Sequence, residues 1–402
     1  MLSQEARPYI EASVPVLREH GLTITRTFYK NMFDEHPELT NLFNMGNQAS
    51  GAQQQSLASA VFAYAANIDN PEALAPVVSR IVHKHASLGI TAKHYPIVGR
   101  HLLGAIQETL DDAATPELLS AWEEAYGLLA DAFVAEERKL YQAANTEPGE
   151  LRDMRVVQVT EESANVKSFV LTPVDQNPLR SFKPGQYTSV AVQLSDGLRQ
   201  LRQYSLSDAP GKDCVRISVK REAAGAETPA GMVSNWLHDN VVEGSVLSVS
   251  PPFGDFTPDT EGSAPIVLLS AGIGITPMIS VLNRIAEVAP QRKVIFAHAA
   301  RSALYHAHQA DLVRAQALMP GLQVVTFYEA MEEGASKMAA NPIEGRMQID
   351  KLPSWDYADT EVYMCGPLKF MQAQWRDCVA LGVPPVKLFQ EVFGPDLLTH
   401  LQ

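Results

Sequence analysis

Cysteine is scarce: three in 402 residues, at Cys214, Cys365 and Cys378. So few, and an odd number, argue against a disulfide framework and fit a reducing compartment, so a cytoplasmic location is expected. No CxxC or CxxCH occurs, which removes cysteine-rich zinc sites and covalently attached c-type haem. The N-terminus, Met1-Leu2-Ser3-Gln4-Glu5, has neither a basic stretch nor an apolar core, so no signal peptide is read. Basic residues are also short: 32 Lys+Arg against 46 Asp+Glu give a net charge of −14. An acidic chain is a poor partner for a phosphate backbone, and no nucleic acid is expected. Like charges never run long enough for a tail or a polybasic anchor. One uncharged stretch, residues 262–283, is long enough to cross a bilayer. Its interior holds Gly272, Gly274, Thr276 and Pro277, which suit a buried strand, a glycine turn and a helix better, so no transmembrane segment is expected.

What is present is globular: 46% hydrophobic and 19% charged residues. At roughly 150 residues per domain, the length allows two or three domains. Residues 1–145 read as helical throughout. Apolar residues recur at helical spacing in Ile10/Val14/Leu17, Leu57/Val61/Tyr64/Ile68 and Leu119/Trp122/Tyr126/Leu129/Phe133. Asn145-Thr146-Glu147-Pro148-Gly149 is turn chemistry and reads as a linker. Residues 151–260 are dominated by short alternating strands, as in an antiparallel barrel. Residues 264–402 alternate buried strands with helices, which implies a parallel, doubly wound sheet.

Helix phase sorts the six histidines of the first segment. At 100° per residue, His85 continues the apolar face of Leu74, Val78 and Ile81, whereas His83 points to the opposite side and is expected in solvent. His94 and His101 share a face, but no third ligand is spaced to join them. Glu137 falls on the buried stripe of Tyr126 and Phe133, and Glu136 falls off it. Tyr95 lies on the Val98/Leu102 face. Three polar groups, His85, Tyr95 and Glu137, therefore point into one core from three helices. A histidine binding iron through one ring nitrogen leaves the other N–H for a carboxylate, which Glu137 would accept; a buried polar cluster without metal is the alternative. Gln53 shares an inward face with Leu57, Ala60 and Val61. With Tyr29 it could hydrogen-bond a polar diatomic ligand, or both could be ordinary core.

In the barrel, Arg202-Gln203-Tyr204-Ser205 makes chemical sense as a flavin site: a guanidinium for phosphate, a phenol to pack on the ring and a hydroxyl to reach its edge. Pro184-Gly185-Gln186-Tyr187 precedes it, and Gly231-Met232-Val233-Ser234 resembles a loop opening a helix, where backbone N–H groups attract a diphosphate. Gly272-Ile273-Gly274-Ile275-Thr276-Pro277 lies between a strand and a helix; its glycines let backbone approach phosphate, or simply make the turn. Cys365-Gly366-Pro367 follows a short strand.

The joint pattern resembles the bacterial flavohaemoglobins. The globin-like run is Phe28-Tyr29, Leu42-Phe43-Asn44-Met45, Gln53 with Leu57, Lys84-His85-Ala86-Ser87, Tyr95 with Ile97-Val98-Gly99, and Trp122 with Ala125-Tyr126-Gly127. The remainder resembles the ferredoxin-reductase-like family, and the order of the three parts is that of the flavohaemoglobins. The resemblance implies an all-α globin, an antiparallel β-barrel FAD domain and an α/β doubly wound nicotinamide-nucleotide domain. It implies one b-type haem with His85 on the iron, Lys84 beside it, and Tyr95 and Glu137 as a relay. Tyr29, Gln53 and Leu57 would line the distal pocket. FAD would be held by Tyr187, Arg202, Gln203, Tyr204, Ser205, Val233 and Ser234, and at the C-terminus by Glu391, Val392, Phe393, Gly394 and Pro395. NADH or NADPH would meet Gly272–Pro277 and Cys365. Gln390 departs from the tyrosine common in close relatives, and FAD binding is expected to survive it.

The implied activity is nitric oxide dioxygenation, with NO, O2 and NAD(P)H as small-molecule partners, in a monomer. Whether a lipid fills the distal pocket stays open, as does the nucleotide preference: Arg301 could meet a 2′-phosphate or merely sit on the surface. Two rivals are a globin that stores or senses O2 and a general electron-transfer reductase.

Overall fold

The computed structural model describes residues 2–194, 197–225, 228–331 and 342–394. The first part is helical: α1 (Arg7–Glu35), α2 (Met45–Ala49), α3 (Ala52–Ala66), α4 (Ala75–Leu88), α5 (His94–Leu110) and α6 (Pro116–Ala143). Local chemistry sets several ends. The Thr115 side chain accepts the Leu118 N–H at 3.3 Å, and Pro116 occupies the first turn of α6. α4 stops at Gly89, whose φ of 77° glycine adopts without strain. Ile10, Leu17, Ile24, Phe28 and Met32 of α1 form one core with Leu102, Ala105 and Ile106 of α5 and with Trp122 and Ala125 of α6. At Gly99 a Cβ would come within 2.6 Å of the Tyr126 ring, so this residue lets α5 and α6 cross closely.

The second part is a six-stranded antiparallel sheet of β1 (Arg152–Ser163), β2 (Val166–Pro173), β3 (Tyr187–Gln193), β4 (Arg199–Ser205), β5 (Val215–Lys220) and β6 (Val246–Val249), with α7 (Met232–Asn240) before β6. The order is β4-β3-β6-β1-β2-β5. A bridge between Leu206 and Ile217 joins the two edges, so the sheet closes on itself.

The third part holds β7 (Ile266–Ala271), α8 (Ile275–Val288), β8 (Val294–Ala300), α9 (Gln309–Leu318), β9 (Leu322–Tyr328), β10 (Ile343–Glu344), β11 (Glu361–Cys365), α10 (Leu368–Ala380) and β12 (Leu388–Glu391). Its order is β10-β9-β8-β7-β11-β12, every pairing parallel. The long uncharged stretch is β7, buried at all six positions, running into α8. Among the described residues no helix is long and apolar enough to cross a membrane. The strand order reverses between β7 and β11, which opens a crevice at their C-terminal ends where doubly wound sheets bind ligands. A buried polar network ties this sheet to the barrel. Arg216 of β5 pairs with Asp311 of α9 at 3.0 Å, and His308 bridges Asp311 (2.9 Å) and Ser218 (3.0 Å).

Candidate functional site

The inward phase of α4, α5 and α6 brings His85, Tyr95 and Glu137 together. His85 Nδ1 is 2.8 Å from Glu137 Oε1 and 3.1 Å from the Tyr95 hydroxyl, and Tyr95 also donates to that carboxylate oxygen. A carboxylate only accepts, so Nδ1 carries the imidazole proton and Nε2 presents its lone pair to the core. Glu137 is 2% exposed; the two donors offset a desolvation cost of several kcal/mol, roughly, for an unpaired buried carboxylate. Burial first, and then Glu137, push the Tyr95 phenol well above its usual range, so it stays a donor. Tyr126 fixes α5 by donating to the Tyr95 carbonyl at 2.6 Å. Glu136, one residue away, is exposed and pairs with Lys139.

In the same helical part, Leu42, Phe43, Leu57, Val61, Ile81 and Val98 pack on buried cores yet remain only half-buried. A histidine with one ring nitrogen uncommitted, in a helical core whose apolar walls are half-covered, fits haem, whose flat ring would cover them. On the far side Tyr29 is 5% exposed, with rings of Phe28, Phe33 and Phe43 around it. Gln53 lies within hydrogen-bonding reach of its hydroxyl, and so does Gln48. Burial holds this phenol well above its ordinary range, hence neutral. Gln48 is not readable from helix phase, because α2 has only five residues. Its Oε1 accepts from Gln54 Nε2 at 2.8 Å, which leaves its buried Nε2 toward the Tyr29 side of the pocket.

On the barrel, register sets Tyr187 opposite Ser205 and Val190 opposite Arg202. Arg202 is half-buried, bonded to Leu201 O and Gln200 Oε1, with no carboxylate against it among the described residues. Burial lowers its pKa. Ser205 Oγ is buried and has no hydrogen-bond partner among the described residues. A desolvated cation without a counter-ion and an orphaned hydroxyl fit an anionic, hydrogen-bonding group such as FAD. Tyr204 packs at the edge of the barrel core. Val233 and Ser234 begin α7; Ser234 Oγ bonds Gly231 O and accepts from Glu222 N, both at 3.2 Å, so it shapes this loop.

In the β7–β11 crevice, a Cβ on Gly274 would lie 2.3 Å from Cys365 O, so only glycine permits this approach. Gly272 is exposed, whereas Ile273 is half-buried and packs against the core of the sheet. Ile275, Thr276 and Pro277 are buried beneath them, with the Thr276 hydroxyl committed to Ile273 O at 3.0 Å. Cys365 is fully buried, pairs in register with Glu391, and has its thiol pushed up by burial. Glu391 is pushed up to about 8, chiefly by burial and secondarily by Asp255. Val392 and Phe393 continue the chain to Gly394; Pro395 lies outside the described residues.

These parts meet on α4. Lys84 Nζ donates to Gly394 O at 2.8 Å, and Gln203 Nε2 to Ser87 Oγ at 3.3 Å. The Gly254 N–H donates to His83 Nδ1 at 3.0 Å. His83 therefore does not face solvent as expected. Phase placed it correctly opposite His85, but the barrel, not water, covers that side. Arg301 is exposed and lies over the Tyr305 ring at 5.6 Å.

Family models match in the same order: the globin model over residues 26–133, the oxidoreductase FAD-binding domain over 153–257 and the oxidoreductase NAD-binding domain over 268–375. A flavohemoprotein of Bordetella parapertussis is 48% identical, covering 98% of this chain and 99% of the relative. The crystal structure of flavohemoglobin from Malassezia yamatoensis, with bound FAD and heme, superposes with a TM-score of 0.86 at 32% identity, covering 98% and 100% of the two chains. The FAD/NAD-binding domain of nitric oxide dioxygenase from Vibrio cholerae matches 61% of this chain and 99% of its own, at 36% identity and a TM-score of 0.56. Near-half identity over the full length, with three modules in one order and a cofactor-ready site in each, makes this chain a member of the flavohemoprotein family.

Proposed function

We propose that the chain is an NAD(P)H-dependent nitric oxide dioxygenase that turns NO and O2 into nitrate. The observation that carries this reading is the dual use of α4: one face carries His85, held by Glu137 and Tyr95, and the other docks on the barrel and the C-terminal strand. A reductase is thus built against the proximal side of a globin. When bound, haem activates O2 and FAD converts the two-electron supply of the nucleotide into single electrons. The protein's own groups do the rest. Gly272–Gly274 backbone and Cys365 shape the nucleotide crevice, and Arg202 and Ser205 hold the flavin. Glu137 takes the His85 Nδ1 proton into a strong hydrogen bond, which makes Nε2 the better electron donor. Tyr29, with Gln53 beside it, donates to a polar diatomic substrate in an otherwise apolar pocket. Three free cysteines among the described residues suit the reducing cytoplasm proposed for it.

Rapid mixing of NO with the reduced protein in aerated buffer tests the reading. With NADH supplied, nitrate is expected to keep forming in step with the NO added. An O2-storage globin would form nitrate once and then stop even with NADH present, and a general reductase would oxidise nucleotide without regard to NO. The relay gives a second expectation: Glu137→Gln lowers steady nitrate turnover by roughly tenfold or more, whereas Glu136→Gln leaves it near wild type. Equal rates for the two variants would remove the relay from the account.

A further inference from the structure

Away from the haem and flavin sites, three potential ligands converge where α1 ends. Glu35 closes α1, His36 follows it and opens the turn Pro37–Asn41, and His101 comes across from α5. One ligand atom from each lies within 4.8 Å of the others. We propose that Glu35, His36 and His101 form a binding site for a divalent transition-metal ion of the zinc class.

Four observations carry this. First, the spacing is close to coordination geometry: His101 Nε2 is 3.4 Å from Glu35 Oε2, and His36 Nε2 is 3.9 Å from Glu35 Oε1. Tetrahedral zinc with bonds near 2.0–2.2 Å needs ligand separations of roughly 3.3 Å, so the side chains would draw in from the 4.8 Å within which one ligand atom of each residue now lies. Second, His36 is oriented for the task. Its Nδ1 lies 3.2 Å from Glu38 Oε1. The carboxylate can only accept, so Nδ1 carries the proton and Nε2 offers its lone pair inward, the arrangement a carboxylate gives a metal-binding histidine. Third, His101 is 8% exposed and anchored in α5, so one ligand is preorganised.

Fourth, a cation already sits at the point of convergence. Arg100 Nη2 is 2.7 Å from Glu35 Oε1, 3.1 Å from His36 Nε2 and 3.3 Å from His101 Nε2. One Nη2 has two hydrogens and cannot serve three acceptors in good geometry; a spherical ion can. The Arg100 side chain is 57% exposed, so it can swing into solvent and leave the ligands to the metal. Two histidines and one carboxylate form a common zinc set, with water in the fourth position on the open side. An ion here would tie the Pro37–Asn41 turn to α5. That turn holds the barrel: Thr40 O accepts from Gln200 Nε2 at 3.0 Å, and Asn41 Oδ1 accepts from the Arg199 N–H at 3.2 Å.

The test uses full-length protein loaded with haem and FAD, stripped of loose metal with a chelating resin, and titrated with zinc chloride against a chromophoric zinc indicator. The wild type is expected to compete for zinc. His36→Gln and Glu35→Gln should each weaken that binding by roughly tenfold or more, and Arg100→Ala should tighten it by removing the competing cation. His101→Gln should weaken it as well; if that buried change disturbs folding, the near-surface His36 and Glu35 variants still decide. Zinc affinity unchanged in His36→Gln, or weakened in Arg100→Ala, would overturn the site.

Discussion

Arg202→Ala is expected to weaken FAD binding by about ten- to hundredfold and to cut nucleotide-driven reduction of the haem in step. The guanidinium lies half-buried on β4 with only neutral oxygens beside it. A buried cation in such surroundings is costly unless an anion arrives, and a charge-assisted hydrogen bond to one is worth roughly 1.5–3 kcal/mol, which gives the stated range. Haem content, and CO binding after chemical reduction, should remain as in the wild type, because His85 is held by α4, α5 and α6 alone. Equilibrium release of FAD, read by its fluorescence, and the CO difference spectrum measure the two halves separately. Loss of haem with FAD retained would show that the two sites have been assigned to the wrong parts of the chain.

Tyr29→Phe should keep the fold and the haem but speed O2 release and depress nitrate formation when O2 is limiting. The ring, held among Phe28, Phe33 and Phe43, is conserved by the substitution. What goes is one neutral hydroxyl donor in an apolar pocket. A hydrogen bond to a partly charged acceptor contributes roughly 1.5–3 kcal/mol, or about ten- to hundredfold in an equilibrium constant. Gln53 and Gln48 both reach this hydroxyl, so either can take over part of the donation. The single variant is therefore expected near the lower end, and the Tyr29→Phe/Gln53→Leu pair to be non-additive. Flash photolysis gives the O2 release rate, and a melting curve accompanies it. If Tyr29 is only core, the melting temperature falls and the release rate does not change.

What the sequence revealed of this site follows from where simple periodicity applies. His85, Tyr95 and Glu137 sit in long helices, and a polar group in an apolar phase stands out because burying it unpaired is expensive. Their convergence could be read from phase, and so could the exposure of Glu136. The same arithmetic failed for His83, because phase says which side a residue faces but not that another domain covers that side. Gln48 lies in too short a helix to have a phase. His94 and His101 looked like a pair at helical spacing, yet His94 Nδ1 accepts from the Thr91 N–H at 2.9 Å while His101 turns to Glu35 and His36, at the end of α1. No local pattern signals such a meeting. The three-part order was legible because turn chemistry at residues 145–149 separates a period near 3.6 from alternation, and buried strands then alternate with helices. The docking of Lys84 against Gly394, 310 residues apart, was not.

The most direct measurement is the steady-state balance of reactants in aerated buffer with limiting NO, following nucleotide, O2, NO and nitrate together. Each nucleotide supplies two electrons and each turnover consumes one, so the account predicts two nitrates formed, and two NO and two O2 consumed, per NAD(P)H oxidised for nitrate formation. Nitrate formation should stop when NO is exhausted. Nucleotide oxidation that proceeds at the same rate with or without NO, and yields no nitrate, would contradict it.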